Sequence, residues 1–178
     1  AVVKRVVLSQ NFLFGTKYGR HDVDADQSGW TALCDALPGS PVEELIVADV
    51  GMGGTGMKSV TKASSSMAAV KKVVISHNFI FGSKDKNRNS SKQVHDIDAD
   101  QSGWSALCDA LPGSPLEELD VADVGMGVTG VTSLAKAISS MAAVAHLSIA
   151  GQLISLSVLY TGLPTIPVLP LTNCLISH

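Results

Sequence analysis

The stretch "VKKVVISHNFI", residues 70–80, places Val70, Val73, Ile75, Asn78 and Ile80 at positions 1, 4, 6, 9 and 11 of a string. "VKRVVLSQNFL" (3–13) repeats that frame with Val3, Val6, Leu8, Asn11 and Leu13. Two acidic strings share it: "VEELIVADVGM" (42–52), with Val42, Leu45, Val47, Val50 and Met52, and "LEELDVADVGM" (116–126), with Leu116, Leu119, Val121, Val124 and Met126. A fifth, "VAHLSIAGQLI" (144–154), keeps Val144, Leu147, Ile149, Gln152 and Ile154. Self-similarity of this kind marks stacked units and governs every other reading of the chain.

The strings belong to a longer unit that occurs twice. Val3–Gly15 aligns with Val70–Gly82 at an offset of 67, and Asp22–Ala69 with Asp96–Ala143 at an offset of 74. The second copy therefore carries seven extra residues, within "SKDKNRNSSKQ" (83–93), a polar and basic segment expected to be a solvated loop. A third copy begins at Val144 and fades after Ile154, and the chain opens in the middle of the pattern, as a piece of a longer array would.

Helix signals fall between the strings. Trp30, Leu33, Cys34 and Leu37 recur at i, i+3, i+4 and i+7, one face of a helix, with Ser28 as its expected cap. Trp104, Leu107, Cys108 and Leu111 repeat that face, and Val131, Leu134, Ala135 and Ile138 form another. The counterpart Met57, Val60, Thr61 and Ser64 is more polar and predicts a weaker helix. Pro38 and Pro112 end the first helix type, because proline supplies no amide for the ladder.

The five frames resemble the leucine-rich repeat, and the 28-residue steps from Val42 to Val70 and from Leu116 to Val144 resemble its ribonuclease-inhibitor type, in which two repeat forms alternate. The resemblance covers residues 2 to about 154. It implies an α/β, right-handed leucine-rich-repeat solenoid of about five repeats over residues 1–154, with parallel strands on the concave face and helices on the convex face. A unit of one strand and one helix cannot cover its own apolar side, so neighbours must bury it for one another. Asn11 and Asn78 are expected to point inward and satisfy backbone groups at the bend.

Positions 2, 3, 5, 7 and 8 are expected on the concave face. Position 2 runs Lys4, Glu43, Lys71, Glu117, Ala145 and position 3 runs Arg5, Glu44, Lys72, Glu118, His146, so signs alternate strand by strand. Such pairs set register. Position 5 offers Val7, Ile46, Val74 and Asp120, and position 8 offers Asp49, His77 and Asp123, as contacts for a protein partner.

The duplicated "DVDADQS" places Asp22, Asp24 and Asp26, and again Asp96, Asp98 and Asp100, at the first three ligand positions of an EF-hand-like calcium loop. Gln27 and Gln101 stand where the turn wants glycine, and Leu33 and Leu107 where a bidentate glutamate belongs. The alternative is stabilisation of the following helix by short acceptors near its positive end. The sequence reading therefore favours a metal-free protein, with a calcium-responsive version as the alternative.

Bulk properties narrow the classes. With 46% hydrophobic and 4% aromatic residues, the core is built from small aliphatics. A net charge of −3 argues against nucleic acid as a partner. Cys34 and Cys108 read as reduced apolar groups, which points to a reducing, cytoplasmic setting. "GMGGTG" (51–56) lacks the lysine of a phosphate loop, and Asn89-Ser90-Ser91 is a glycosylation sequon. Residues 137–178 contain no Asp, Glu, Lys or Arg, but Pro164, Pro167 and Pro170 interrupt any spanning helix, so 155–178 reads as an apolar cap or tail and a membrane as an unlikely partner. GTPase activators for a nuclear-transport GTPase resemble this repeat type, but only Arg5, Arg20 and Arg88 could act as a charge-stabilising arginine here, and none sits in a matching motif. No arrangement calls for catalysis, and the expected role is a noncatalytic scaffold for protein–protein interaction within a larger chain or complex.

Overall fold

A computed structural model describes residues 2–11, 13–14, 23–64, 69–82, 84–85, 94–95, 97–141 and 143–151. Their elements run β1 (Arg5–Val7), α1 (Ser28–Ala36), β2 (Glu44–Ile46), α2 (Gly54–Ser64), β3 (Lys72–Val74), β4 (Lys84–Asp85), β5 (Val94–His95), α3 (Ser102–Ala110), β6 (Glu118–Asp120), α4 (Val128–Ile138) and β7 (His146–Ser148). Each of the five strings thus contributes one three-residue strand. The strands form a parallel sheet in the order β1-β2-β3-β6-β7, so neighbours in the sheet follow one another along the chain except where the seven-residue insertion intervenes. This α/β arrangement, with four helices between its strands, is compatible with a solenoid.

Register follows the frame without a slip. Val6, Leu45, Val73, Leu119 and Leu147, all at position 4, stand side by side across the sheet. In the three inner strings positions 1, 4, 6 and 11 are buried: Val42, Leu45, Val47 and Met52; Val70, Val73, Ile75 and Ile80; Leu116, Leu119, Val121 and Met126. Each such aliphatic removed from water contributes about 1.5–3 kcal/mol. The same ladder recurs at every step, as in Val47 N–H to Val74 O at 2.9 Å and Ile75 N–H to Asp120 O at 2.9 Å.

The helices meet this sheet through the faces that the spacing predicts. Trp30, Cys34 and Leu37 are buried, as are Trp104, Leu107, Cys108 and Leu111, while Leu33 is half-buried. Each indole Nε1–H also crosses to the next helix: Trp30 donates to Gly56 O at 3.0 Å and Trp104 to Gly130 O at 2.9 Å. A buried tryptophan therefore has its polar edge satisfied where one repeat touches the next. Phe14 and Phe81, fully buried, tilt against those rings at centroid separations of 5.5 and 5.2 Å.

Four expectations are corrected. Helix α2 is no weaker than its partner: it spans 11 residues, as α4 does. Burial of Met57, Val60 and Ala63 by neighbouring repeats outweighs its polar composition. Ser28 does not cap α1; it is the helix's first residue, and its N–H donates to Asp26 Oδ1 at 2.9 Å. Asn11 does not turn into a core but is exposed, unlike Asn78. The insertion is not wholly irregular, because β4 and β5 near its ends pair antiparallel, Lys84 opposite His95.

Burial also sets thiol chemistry. It pushes Cys34 and Cys108 up to about 12, with the neighbouring Asp35 and Asp109 adding to the effect. Little thiolate therefore exists at about pH 8, and both thiols are expected to react with a thiol reagent only after urea unfolding. Mass mapping checks this, and rapid native labelling at either residue would contradict the packing.

Candidate functional site

The sheet face turned away from the helices carries positions 2, 3 and 5 of each string. Alternating charges close across neighbouring strands: Lys4 Nζ lies 2.6 Å from Glu43 Oε1, Arg5 Nε 3.1 Å from Glu44 Oε2, Lys71 Nζ 3.2 Å from Glu117 Oε1 and Lys72 Nζ 2.7 Å from Glu118 Oε1. The Lys4 hydrogen bond and charge hold Glu43 below its usual range, with Lys71 on the other flank adding to the shift. These pairs are largely solvent-exposed and individually weak. Their ordered alternation nevertheless fixes which strand can sit beside which.

Position 5 forms a second row, Val7, Ile46, Val74, Asp120 and Ser148, in register across all five strands. Val7 is 54% exposed, and Ile46 and Val74 are half-exposed. The row is therefore apolar at one end. Asp120 is turned to its own backbone, where its Oδ1 accepts the Ala122 N–H at 3.0 Å. At position 7 only Ser76 is buried; Ser9, Ala48, Ala122 and Ala150 are partly exposed, and Ser9 Oγ accepts the Ala48 N–H at 3.1 Å.

Position 8 has a backbone reason for its residue types. Gln10, Asp49, His77 and Asp123 all adopt positive φ, from 52° to 60°, and Gly151 does so at 74°. The chain leaves each strand through this left-handed residue, a conformation that Asp, Asn and Gly tolerate best. At this rim His77 Nδ1 lies 3.2 Å from Asp123 Oδ2, joining two residues from adjacent strings. Val7, Ile46 and Val74 thus form one row of the sheet, and the turns that follow their strands carry Gln10, Asp49 and His77, with Asp123 beside His77.

The aspartate loops are built differently from the sequence expectation. Asp24 does not serve the helix that follows it. Its Oδ1 accepts from Gly53 N–H at 2.8 Å, and its Oδ2 from Thr55 and Gly56 N–H at 3.0 and 3.2 Å, so it covers the start of α2, the helix of the next repeat. Asp98 does the same for α4 through Gly127 and Thr129, at 2.8 and 2.9 Å. A Cβ on Gly53 would lie 2.6 Å from Asp24 Oδ2, which is why the helix entry needs glycine there. The shorter-range role falls to Asp26 and Asp100, which receive the Ser28 and Ser102 N–H groups.

Those serine bonds lower both acids: at Asp26 the backbone bond is the larger cause, at Asp100 the side-chain bond. A lowered folded-state value means that their contribution is present above the ordinary carboxylate range. It is lost as pH falls through the lowered values. Asp22 and Asp96 lie outside the described residues, as do Arg20, Arg88, the sequon and residues 155–178. Among the described residues no group of three or more His, Cys, Asp or Glu is placed to hold a metal ion, and no helix is long and apolar enough to cross a membrane. No protein-family model matches the chain, and no curated protein is significantly similar to it.

Proposed function

We propose that the chain is a leucine-rich-repeat scaffold, a right-handed solenoid of about five repeats that holds another protein on the strand face opposite its helices. The observation that carries this reading is the in-register row of Val7, Ile46 and Val74, apolar side chains left exposed or half-exposed on an otherwise ion-paired sheet. Apolar contacts ringed by charge are what a protein interface buries. His77 and Asp123 at the rim supply polar contacts beside them. A sheet face of this kind suits a folded surface or a peptide.

The test is a triple variant, Val7→Ser, Ile46→Ser and Val74→Ser. Val7 is exposed and its replacement is expected to cost no more than about 0.5 kcal/mol, whereas the partly buried Ile46 and Val74 are expected to cost about 1 kcal/mol each, so folding of the variant is verified by circular dichroism before binding is read. Capture of a partner from the source cell is expected to be lost. Undiminished capture by the folded variant would remove this face from the function.

A further inference from the structure

The two acidic strings are near copies, and one of their differences lies on the open face of the sheet. "VEELIVADVGM" (42–52) and "LEELDVADVGM" (116–126) differ at positions 1 and 5. Position 1 is buried in both, as Val42 and Leu116. Position 5 is partly exposed in both and changes from Ile46 to Asp120. With Val74 between them on β3, the row reads apolar, apolar, acidic over three adjacent strands. Each of these strands, β2, β3 and β6, has a neighbouring strand on both sides.

The local fold does not need the charge of Asp120. Its Oδ1 accepts the Ala122 N–H at 3.0 Å, a bond that the amide oxygen of an asparagine would accept as well. The glutamates of this face are each paired with a cation: Glu43 with Lys4, Glu44 with Arg5, Glu117 with Lys71 and Glu118 with Lys72. Among the described residues no lysine or arginine pairs with Asp120, or with Asp123, whose partner is His77. The acidic end of the row is therefore complementary to a cation brought by a partner.

Spacing identifies the shape of the occupant. Neighbouring strands lie about 4.8 Å apart, so Ile46, Val74 and Asp120 span roughly 10 Å. An α-helix laid across the strands presents side chains at i, i+4 and i+7 over about 10.5 Å. An extended chain repeats its facing side chains every ~6.6 Å, so three of them span about 13 Å. Resting on the reading of this face as a protein-binding surface, we propose that it takes an amphipathic helix. Two apolar side chains of that helix meet Ile46 and Val74, and a lysine or arginine one turn further meets Asp120. The apolar anchors supply affinity, and the cation at one end sets direction and register.

The probe is a helix-forming peptide of about 18 residues, built on alanine and glutamine, with leucine at i and i+4 and arginine at i+7. Titrated into the whole chain, it is expected to move the amide resonances of Ile46, Val74 and Asp120. A peptide with glutamate in place of the arginine is expected to bind about tenfold more weakly or worse, because like charges then face each other. Asp120→Asn keeps an acceptor for Ala122 and is expected to leave the unfolding temperature unchanged while cutting that preference to less than about threefold. Absence of shifts at those three amides, equal affinity for the two peptides, or a preference undiminished by Asp120→Asn would each overturn the proposal. So would equal binding after a central proline breaks the peptide helix. Loss of capture by the triple serine variant alongside equal affinity for the two peptides would leave the face as the binding surface and remove the cationic helix from it.

Discussion

Asn78→Leu is expected to lower the unfolding free energy by about 3 kcal/mol, whereas Asn11→Leu, the same change in the matching string, should cost no more than about 0.5 kcal/mol. Asn78 is 2% exposed and satisfies five backbone groups: its amide donates to Val47 O, Ile75 O and Ser76 O, and its carbonyl oxygen accepts from Val50 and Met52 N–H. Leucine matches its size but leaves those groups without that partner where the chain turns out of the strand. Each buried polar group left unmatched costs about 1–3 kcal/mol, and local relaxation recovers part of the sum. The neighbouring inner strings carry Val50 and Val124 at the same position, so one asparagine serves its own turn and that of the preceding string. For a chain of this size the loss corresponds to roughly 6–12 °C in unfolding temperature. Thermal or urea unfolding measures both variants, and equal losses would show that Asn78 does not join two repeats.

The second large effect belongs to the aspartates. Asp24→Ala and Asp98→Ala are each expected to destabilise the protein by about 2 kcal/mol, and the double variant by about 4 kcal/mol, since the two carboxylates share no partner. Each carboxylate accepts two or three helix-entry amides and sits at the positive end of the helix dipole, where a negative charge is favoured. Asp26→Ala removes only bonds from Ser28 at an exposed site and should matter less. A calcium ion bound at Asp24 or Asp98 would draw the same oxygens away from α2 or α4. Millimolar calcium is therefore expected to leave the unfolding temperature unchanged. A rise that disappears in the double alanine variant would instead restore the calcium-responsive reading.

Much of this arrangement is legible from periodicity, because burial at positions 1, 4, 6 and 11 depends on the path of a single string and on copies being alike. The Trp30 and Trp104 faces are legible for the same reason: residues three and four apart share one side of a helix whatever lies opposite. Phe14 and Phe81 escaped because they follow the frame rather than occupy it. Their only signal is that "FLFG" and "FIFG" recur at corresponding places.

The chemistry of the site is less legible. Position 5 is open because its residues alternate away from the buried ones, a property of one strand. Position 7 shares that alternation, yet Ser76 is buried by its neighbours. The Asp-rich loop suggested a metal or the adjacent helix, since a reading along the chain weighs near neighbours first. Its partners at Gly53 and Thr55 lie 29 and 31 residues away.

Composition and spacing alone were sufficient for an α/β chain of repeated strand-and-helix units, the residues each unit buries and the sign of charge each strand presents, because those depend on local backbone geometry. Stacking decided that Asp24 caps the next repeat's helix, that α2 is a full partner to α4, and that Asn78 joins two strings while Asn11 faces solvent. Matching residues acquire different roles when one has a preceding rung among the described residues and the other has not, and that difference arises only when the chain is assembled in space.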